Sequence, residues 1–339
     1  MGVSEIGGFP RLALATINGR SSQPGRTTLR PEDPKQGVFP VSGRVCAVVV
    51  TYNREAVLRE SLVALLAQTR PPDVVLVVDN ASTDGTREML RADFPVVMVL
   101  ALRENLGGAG GFHHGMKWAH RQGYDWLWVM DDDARPAADC LARLLAHARP
   151  GAVLLPVQQD SLGRQHGVCI WDGMAYDVVA EVLSGARPLT GAYLFPFAGP
   201  LLPKGLIDQI GLPNKEFFIS FDDWEYALRM QQGSDGEVTV VPEAILFHDV
   251  GGPPKRVRAL GRSSVRATIA PWKLYYGARN PVYTIIWGRR PLRELFVFVR
   301  IQLRWMLGDM LYERDRWRCV RMRLRGLLDG ATGRLGKRV

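Results

Sequence analysis

The chain has few cysteines for its length: four among 339 residues, at Cys46, Cys140, Cys169 and Cys319, with no CxxC pair among them. Cysteines spaced this widely suggest neither a zinc site nor a disulfide framework, and they favour a reducing, cytoplasmic compartment. The chain also opens without a cationic segment followed by an apolar one, so we expect no secretion signal.

Two common nucleotide-binding motifs are missing as well. A dinucleotide-dependent oxidoreductase needs GxGxxG after its first strand, whereas this chain has Thr51-Tyr52-Asn53-Arg54 there. The glycine-rich run that begins at Asn105 lacks the Lys-Ser/Thr pair of a P-loop. These absences argue against an NAD-dependent enzyme and against an ATPase.

Acidic residues are scarce in the last quarter of the chain. Residues 251–339 contain 21 Lys and Arg but only five Asp and Glu, whereas the whole chain has a net charge of +9. A basic tail on a slightly acidic body indicates an anionic partner, either a nucleic acid or a membrane surface. We expect no nucleic acid, because no helix-turn-helix or base-stacking module accompanies the charge.

Apolar runs alternate with helical repeats from Arg44 to about Pro150. The apolar runs predict strands at 45–50, 74–78, 95–102 and 126–130, of which the first is expected to be buried on both faces and the second to be buried as well. The spacing between them predicts helices at 55–68, from a cap at Ser82 or Thr83 to about Arg91, and at 110–122. This alternation predicts an α/β fold with a mostly parallel sheet flanked by helices.

After Pro150 the pattern is less regular and predicts a mixed-sheet extension. Strands are expected at 152–157, 168–171, 192–197, 237–241 and 244–247, and helices at 204–210 and 223–232. From about Pro271 the chain is expected to be helical and basic. These patterns predict an irregular N-terminal extension (1–43), an α/β domain (44–250) and a basic helical C-terminal region (251–339).

Three consecutive carboxylates, Asp131, Asp132 and Asp133, follow the strand predicted at 126–130. Adjacent like charges repel, and a divalent cation that prefers hard oxygen ligands, Mg²⁺ or Mn²⁺, would remove this repulsion. In an extended chain Asp131 and Asp133 point to one side and Asp132 points away, so the first and third are the expected metal ligands. A solvated acidic turn is the structural alternative.

Polar or glycine-rich segments also follow the second and third predicted strands. Asp79 follows the second strand beside the loop 51–54, where its carboxylate can accept a hydrogen bond from a uracil N–H or a ribose hydroxyl, or can cap its own loop. Gly107, Gly108 and Gly110 follow the third strand and can offer backbone N–H groups to an anion. Because such strand ends meet at one sheet edge, we expect a single ligand site there.

A second acidic group, Asp222-Asp223-x-Glu225, lies between an apolar segment and a predicted helix. Capping of that helix explains one carboxylate but not all three. A carboxylate at the mouth of an apolar pocket suits general base catalysis, because desolvation raises its pKa. His248 ends another apolar run and is either a structural residue or a third metal ligand that would favour Mn²⁺.

As a set, these motifs resemble those of family 2 glycosyltransferases, which have the nucleotide-sugar-binding GT-A fold. The resemblance covers about residues 44–250 and lies in Thr51-Tyr-Asn, Asp79-Asn80-Ala-Ser-Thr-Asp-Gly, Asn105-Leu-Gly-Gly-Ala-Gly-Gly, Asp131-Asp-Asp133, Asp222-Asp-x-Glu225 and His248. The Asn105 run, the triple Asp and Tyr275-Tyr-x-x-Arg279-Asn280 are most similar to bacterial galactofuranosyl- and rhamnosyltransferases. The Gln-x-x-Arg-Trp motif of processive synthases is missing from the matching region, which implies addition of one or a few sugars.

The resemblance implies a role for each motif. The nucleotide-sugar site would comprise Thr51, Tyr52, Asn53, Arg54, Asp79, Asn80, Asn105, Gly107, Gly108, Gly110, Asp131 and Asp132. The metal, Mn²⁺ or Mg²⁺, would be held by Asp131, Asp133 and His248. Asp223 would be the catalytic base, with Asp222 beside it. The acceptor pocket is expected to include Trp224, Glu225, Trp272 and Tyr276.

The resemblance thus implies inverting, metal-dependent transfer of a sugar from a UDP- or dTDP-sugar to a saccharide of the cell envelope, attached or not to a polyprenyl carrier. Two other functions stay open. A nucleotidyltransferase acting on sugar phosphates also uses such a sheet and metal-binding carboxylates, but it usually has a glycine-rich basic loop after the first strand, where only Arg54 is available. A non-catalytic nucleotide-sugar-binding protein would not need the second acidic group.

The basic tail allows two interpretations. Its apolar segment 295–307 is interrupted by Arg300 and Arg304, so it is not expected to span a membrane. Amphipathic helices lying on the inner face of the cell membrane are predicted by the apolar residues among the arginines, Trp305, Met310, Leu311, Trp317 and Val320. Alternatively, the helices pack on the α/β domain with their arginines facing solvent.

Overall fold

The computed structural model describes residues 43–171, 175–185, 193–233, 237–249, 255–259 and 262–339. Residues 1–42, which make up nearly all of the predicted N-terminal extension, lie outside the described residues. So does Ala192, the first residue of the strand predicted at 192–197.

The first half of the described chain alternates strands and helices, as the apolar pattern predicts. Its elements are β1 (Val45–Thr51), α1 (Glu55–Leu66), β2 (Val74–Asp79), α2 (Thr86–Asp93), β3 (Met98–Ala101), α3 (Gly107–Arg121), β4 (Trp126–Asp131), β5 (Arg135–Pro136), α4 (Cys140–Ala146) and β6 (Val153–Gln159). Strands β3-β2-β1-β4 lie side by side in that order and pair in parallel. The chain therefore reverses its direction of winding between β1 and β4, which is where open α/β sheets bind ligands.

The second half adds the mixed extension. Its elements are β7 (Gln165–His166), β8 (Cys169–Trp171), β9 (Ala175–Asp177), α5 (Val179–Leu183), β10 (Tyr193–Leu194), β11 (Leu201–Pro203), α6 (Lys204–Ile210), a 3₁₀ turn (Lys215–Phe217), α7 (Asp222–Gly233) and β12 (Val238–Phe247). The main sheet continues from β4 through β11, β6 and β12 to β5, with β11 antiparallel to both of its neighbours. Strands β8, β9 and β10 form a separate antiparallel sheet. The predicted fold class is confirmed.

Several boundaries differ from those predicted: the strands predicted at 95–102 and 192–197, for example, cover only Met98–Ala101 and Tyr193–Leu194. The segments 237–241 and 244–247 form one strand, β12, whose pairing register shifts between Val241 and Ile245. Pro242 lies in that shift, and it has no N–H to donate to a ladder. Helix α3 begins at Gly107 instead of Gly110, so the glycine run forms its first turn.

The predicted cap of α2 was wrong. Neither Ser82 nor Thr83 caps the helix; instead the Asp84 carboxylate accepts a hydrogen bond of 3.1 Å from the backbone N–H of Thr86, the first helical residue. Ser82 serves the neighbouring loop, because its hydroxyl accepts a hydrogen bond of 3.0 Å from the backbone N–H of Asn53.

The C-terminal region begins with a hairpin that the sequence pattern did not predict. Strands β13 (Lys255–Ala259) and β14 (Arg262–Arg266) precede α8 (Pro271–Trp287), α9 (Leu292–Tyr312) and α10 (Arg316–Ala331). Helices α8 and α10 approach closely, since a side chain at Gly326 or Gly330 would overlap backbone carbonyls of α8. Among the described residues, no helix is both long enough and apolar enough to cross a membrane.

Hydrophobic residues pack on both faces of the main sheet. On β1, Cys46, Val48 and Val50 pack with α3, while the alternating residues pack with α1, α2 and α4. Helix α3 lies so close to β1 that a Cβ at Gly111 would overlap the Val50 side chain. A third apolar cluster joins Phe218, which follows the 3₁₀ turn, to the tyrosines of α8.

Candidate active site

The predicted site residues converge at the carboxyl ends of β1, β2 and β4. Thr51 pairs in register with Asp79 of β2, and the preceding residue, Val50, pairs with Asp131 of β4. The switch in winding direction between β1 and β4 therefore places the triple Asp beside the loop 51–54.

Asp131, Asp133 and His248 come together as the sequence predicts. Each offers one ligand atom, and these atoms all lie within 4.8 Å of one another. His248 reaches the group because β12 runs beside β6, where Gln159 O accepts a hydrogen bond of 3.0 Å from the His248 N–H. The His248 ring is further fixed by a contact of 3.2 Å between its Nδ1 and Gln158 Oε1.

One carboxylate oxygen in this group is left for an additional ligand. Asp133 Oδ1 is buried and accepts no hydrogen bond from the described residues, although His248 Nε2 lies 3.3 Å away. A buried carboxylate oxygen without a hydrogen bond is costly unless a cation or a water completes its surroundings. Two carboxylates and an imidazole are donors that suit Mn²⁺ in particular, so the residues fit a divalent metal.

The pKa values of the three carboxyl groups diverge. Burial and the nearby charge of Asp133 raise the pKa of Asp131 well above its usual range. Burial also raises the pKa of Asp132 to about 6. Asp133 is only partly buried, and the neighbouring His248 and Arg54 outweigh this burial and lower its pKa to about 2. A bound cation would favour the charged form of Asp131.

Asp132 points away from the metal group, as expected for an extended chain. It accepts a hydrogen bond of 2.7 Å from the Thr51 hydroxyl and one of 2.8 Å from the Arg54 guanidinium. Arg54 also donates to Asp133 Oδ2 at 2.9 Å. The first loop is thus fastened to the triple Asp, while Tyr52 in the same loop is 41% exposed.

Asp79 is engaged within the protein. It is fully buried, its Oδ1 accepts a hydrogen bond of 2.9 Å from the Ser82 N–H, and its Oδ2 accepts one from Arg87 Nε. Asp79 therefore caps the loop that follows it, through the Ser82 N–H, as in the second of the two predicted alternatives. The sequence analysis did not identify Arg87, because nothing in the sequence of α2 indicates which of its arginines contacts the Asp79 carboxylate at the end of β2.

The glycine run is held by asparagines. Asn80 donates to Gly107 O at 2.8 Å and accepts from Leu106 N at 2.9 Å, while Asn105 Oδ1 accepts from Gly107 N at 2.8 Å. Gly107 has a φ of +74°, and a Cβ there would overlap the Phe218 carbonyl oxygen. Some amides that were expected to face an anion thus bond to protein instead, and the run contacts the segment before Asp222.

The second acidic group begins α7. Burial and the charge of Asp223 raise the pKa of Asp222 well above its usual range. Burial raises the pKa of Asp223 to about 6, although the backbone N–H groups of Trp224 and Phe197 donate to its carboxylate. The charge of Asp222 is also among the causes that raise the pKa of Asp131. The second acidic group therefore lies near enough to the triple Asp for its charge to reach Asp131.

The four residues expected in an acceptor pocket differ in their surroundings. Trp224 packs on Phe221 with ring centroids 4.8 Å apart. Both carboxylate oxygens of Glu225 accept hydrogen bonds from Arg229 of the same helix, at 2.9 and 3.1 Å. Trp272 and Tyr276 pack against each other beneath the apolar segment, and Tyr276 is fully buried. The structure therefore does not present Glu225 or Tyr276 to an acceptor.

Comparison with known proteins gives consistent matches. Residues 46–164 match the family described as glycosyl transferase family 2. Galactofuranosyltransferase GlfT1 of Mycobacterium tuberculosis (strain H37Rv) is 30% identical over 304 residues, which is 83% of this chain and 95% of that protein. GlfT1 of Mycolicibacterium smegmatis is 34% identical over 196 residues, which is 55% of this chain and 65% of that protein. The dTDP-rhamnosyl transferase RfbF of Shigella flexneri is 23% identical over 305 residues, or 87% of this chain and 98% of that protein.

A solved structure supports the fold. The crystal structure of GalNAc-T7 with UDP, GalNAc and Mn²⁺ superposes with a TM-score of 0.50 at 15% sequence identity, and the match covers 76% of this chain and 54% of that chain. The parallel β3-β2-β1-β4 order, the acidic strand end and the match to GlfT1 over most of both chains agree with one another. This chain belongs to glycosyltransferase family 2 and is a glycosyltransferase with the GT-A fold.

Proposed function

We propose that the enzyme transfers a galactofuranose- or rhamnose-type sugar, with inversion, from a UDP- or dTDP-linked donor to a saccharide of the cell envelope. The observation that carries this proposal is that the segment leading into the second acidic group is bonded to the glycine run, with Phe218 O accepting a hydrogen bond of 3.1 Å from the Ala109 N–H, while the Asp222 charge reaches Asp131. One group fits a metal and the other a base. The relatives named galactofuranosyl- and dTDP-rhamnosyl transferase support the choice of sugar.

In this proposal the residues at the strand ends bind the donor. Asp131, Asp133 and His248 would hold Mn²⁺ or Mg²⁺, which when bound neutralises charge on the diphosphate leaving group. The loop 51–54 and the glycine run line the same edge of the sheet and orient the nucleotide. Asp79 and Asn80 hold these two segments in place through Ser82 and Gly107.

Asp223 is the proposed base. The acceptor hydroxyl oxygen attacks the anomeric carbon, the bond from that carbon to the diphosphate oxygen breaks, and Asp223 takes the hydroxyl proton. A pKa of about 6 leaves Asp223 ionised at neutral pH and still able to hold a proton, which suits this role. Positioning donor and acceptor for in-line attack supplies much of the remaining acceleration.

We also propose that the C-terminal helices lie on an anionic membrane surface, where a polyprenyl-linked acceptor would be found. Large apolar side chains are exposed on α9 and α10, among them Phe296 (71%), Leu307 (62%), Trp317 (71%) and Leu328 (60%). Exposed arginines accompany them on both helices. Exposed apolar and cationic side chains on one helix pair match a surface of acyl chains and anionic headgroups.

The proposed transfer is tested by nucleotide release. With Mn²⁺ and a saccharide acceptor, we expect UDP or dTDP to be released from one sugar nucleotide in a panel. A nucleotidyltransferase would instead release pyrophosphate from UTP and a sugar phosphate, and a non-catalytic binding protein would bind the sugar nucleotide without releasing anything. Either of these outcomes would refute the proposal.

A further inference from the structure

The segment just before the second acidic group has an unusual backbone. In residues 217–221, here called the γ-turn loop, three non-glycine residues have positive φ: Phe218 (66°), Ser220 (67°) and Phe221 (73°). Phe218 also has a ψ of −64°, and Phe217 O accepts a hydrogen bond of 2.8 Å from the Ile219 N–H. This is a γ-turn of the rare, strained hand, and such a backbone persists only where its surroundings hold it.

Two side chains of α8 hold the γ-turn loop. The Asn280 side-chain amide donates to the carbonyl oxygens of Phe217, Ile219 and Ser220, at 3.2, 3.0 and 2.7 Å. The Arg279 guanidinium donates to Phe217 O at 2.8 Å and to Glu216 O at 3.1 Å. Both side chains are fully buried, so solvent does not compete for these bonds.

The rest of α8 and the C-terminus hold these two side chains in turn. Arg279 Nε donates to Asn280 Oδ1 at 2.8 Å, which directs the asparagine NH₂ towards the loop. The guanidinium lies over the rings of Tyr275 and Tyr276, at 5.4 and 4.8 Å from their centroids, and donates to Gly336 O at 2.6 Å. The Tyr-Tyr-x-x-Arg-Asn motif of the sequence is therefore one packed unit.

The other side of the γ-turn loop contacts the proposed donor site. Phe218 O accepts a hydrogen bond of 3.1 Å from the Ala109 N–H in the glycine run. A side chain at Gly107 would overlap this same carbonyl group. The chain then continues directly into Asp222 and Asp223, so one short loop joins α8, the glycine run and the second acidic group.

We propose that Arg279 and Asn280 are positioning residues for sugar transfer: by holding the γ-turn loop, they set the place of Asp223 relative to the glycine run. The role of Asp223 rests on the proposed function above, whereas the holding of the loop does not. Helix α8 then supports the active site from outside it, whatever surface the C-terminal helices bind.

Asn280→Asp tests this inference, with Gln302→Glu as the matched control. The aspartate keeps the size of the side chain but replaces the NH₂ donor with an oxygen that faces three carbonyl groups. Gln302→Glu makes the same exchange at another fully buried side chain of the C-terminal region, on α9, whose Oε1 accepts a hydrogen bond of 3.0 Å from Arg323 and which lies outside the loop contacts. We expect kcat to fall about 100-fold in Asn280→Asp, with a smaller change in the KM for the donor, and kcat to change less than about threefold in Gln302→Glu.

Hydrogen–deuterium exchange gives a readout that does not depend on activity. Faster exchange is expected in peptides covering 105–112 and 215–225 for Asn280→Asp but not for Gln302→Glu. Equal exchange and equal kcat in the two variants would overturn the inference. Absence of transfer by the wild-type enzyme would refute the proposed function instead, and exchange would still test the loop. If Asn280→Asp does not fold, Arg279→Lys, which keeps the charge but loses the fork of donors, serves in the same comparison.

Discussion

At the scale of single residues, burial and neighbouring charge separate carboxyl groups that the sequence makes look alike. Asp133 has a pKa of about 2 because His248 and Arg54 outweigh burial, whereas burial raises the pKa of Asp132 to about 6. Burial of its carboxyl group also raises the pKa of Asp223, at the start of α7, to about 6. Asp133 is ionised at neutral pH without help, whereas Asp131, the other proposed carboxylate ligand, needs the charge of a bound cation to favour its ionised form.

Asp223→Asn tests the proposed base. The amide cannot take a proton from the acceptor, so kcat is expected to fall by about 10²–10⁴-fold. Binding of the nucleotide should survive, because the strand-end residues are unchanged, and a thermal shift with UDP or dTDP would measure it. Glu88→Gln, an exposed change on α2, is the control that should keep full activity. Turnover at the wild-type rate in Asp223→Asn would show that another group is the base.

The pH dependence of transfer follows from the same carboxyl group. A base works only when ionised, so a group with a pKa of about 6 supports full rate above that pH and progressively less below it. We expect the rate to fall about tenfold per pH unit on the acid side. A profile of kcat/KM against pH measures this, and Asp223→Asn should lose the acid limb. A rate that stays flat well below pH 6 would argue against Asp223.

Asp133→Ala tests the metal site. Because Asp133 supplies a buried oxygen that accepts no hydrogen bond from the described residues, its removal should abolish both the thermal stabilisation by Mn²⁺ and the metal-dependent activity. Asp132→Asn is the contrasting variant, since Asp132 bonds to Thr51 and Arg54 outside the metal group. We expect Asp132→Asn to keep the thermal shift with Mn²⁺. Equal loss in both variants would remove the distinction between them.

The sequence could predict those site residues that lie at the ends of neighbouring strands. It could not predict contacts that depend on the conformation of a long side chain. Asp131, Asp133 and His248 could be predicted because each ends an apolar run. The hydrogen bond from Arg87 to Asp79 could not be predicted, because it depends on the side-chain conformation of one arginine among those of α2. Long side chains have many rotamers, and periodicity does not choose among them.

At the scale of elements, the first turn of α3 is the critical junction. The sequence pattern placed the helix start at Gly110, because glycine runs normally indicate a loop. The run instead becomes helical from Gly107, since Asn80 and Asn105 bond to its backbone and the γ-turn loop packs on it. Contacts from outside the helix thus override the weak propensity of glycine.

Gly107→Ala and Gly108→Ala form a matched pair at this junction. Gly107 has a φ of +74° and its Cβ would overlap Phe218 O, whereas a Cβ at Gly108 would meet no described atom within 4 Å. Gly107→Ala should destabilise the fold by more than about 1 kcal/mol and reduce transfer, because the γ-turn loop must move. Gly108→Ala should be nearly neutral for stability. Urea unfolding of both variants would decide, and similar losses of stability would contradict the prediction.

At the scale of the whole molecule, the parallel sheet follows from the alternating pattern, but the docking of the C-terminal helices does not. Right-handed crossovers restrict how β1 to β4 can be arranged, so the ligand-binding edge could be predicted. The contact between α8 and the γ-turn loop joins residues 60 or more positions apart. No local pattern encodes it, although the Tyr275–Asn280 motif was visible in the sequence. The basic hairpin of β13 and β14 was missed for a similar reason, since two short strands rich in arginine resemble a charged tail.

The charge asymmetry of the molecule is the basis for the last prediction, that the intact enzyme binds anionic membranes through α9 and α10. It should sediment with vesicles that contain phosphatidylglycerol and less with vesicles of phosphatidylcholine alone, and added salt should weaken binding. The double variant Arg318→Glu, Arg321→Glu reverses two exposed charges on α10. At about 1 kcal/mol per charge near the surface, it should lower partition at least about tenfold.

Arg91→Glu, an exposed reversal on α2, serves as the control for net charge and should leave partition nearly unchanged. Equal binding of the wild type to neutral and anionic vesicles would remove the electrostatic basis of the membrane proposal. Because Arg91→Glu changes the net charge half as much as the double variant, a loss of binding free energy in Arg91→Glu about half that in the double variant would show that net charge, not the position of the charges on α10, drives adsorption. Only a loss confined to the α10 variant supports docking through these helices, because it ties binding to the side where apolar and cationic side chains are exposed together.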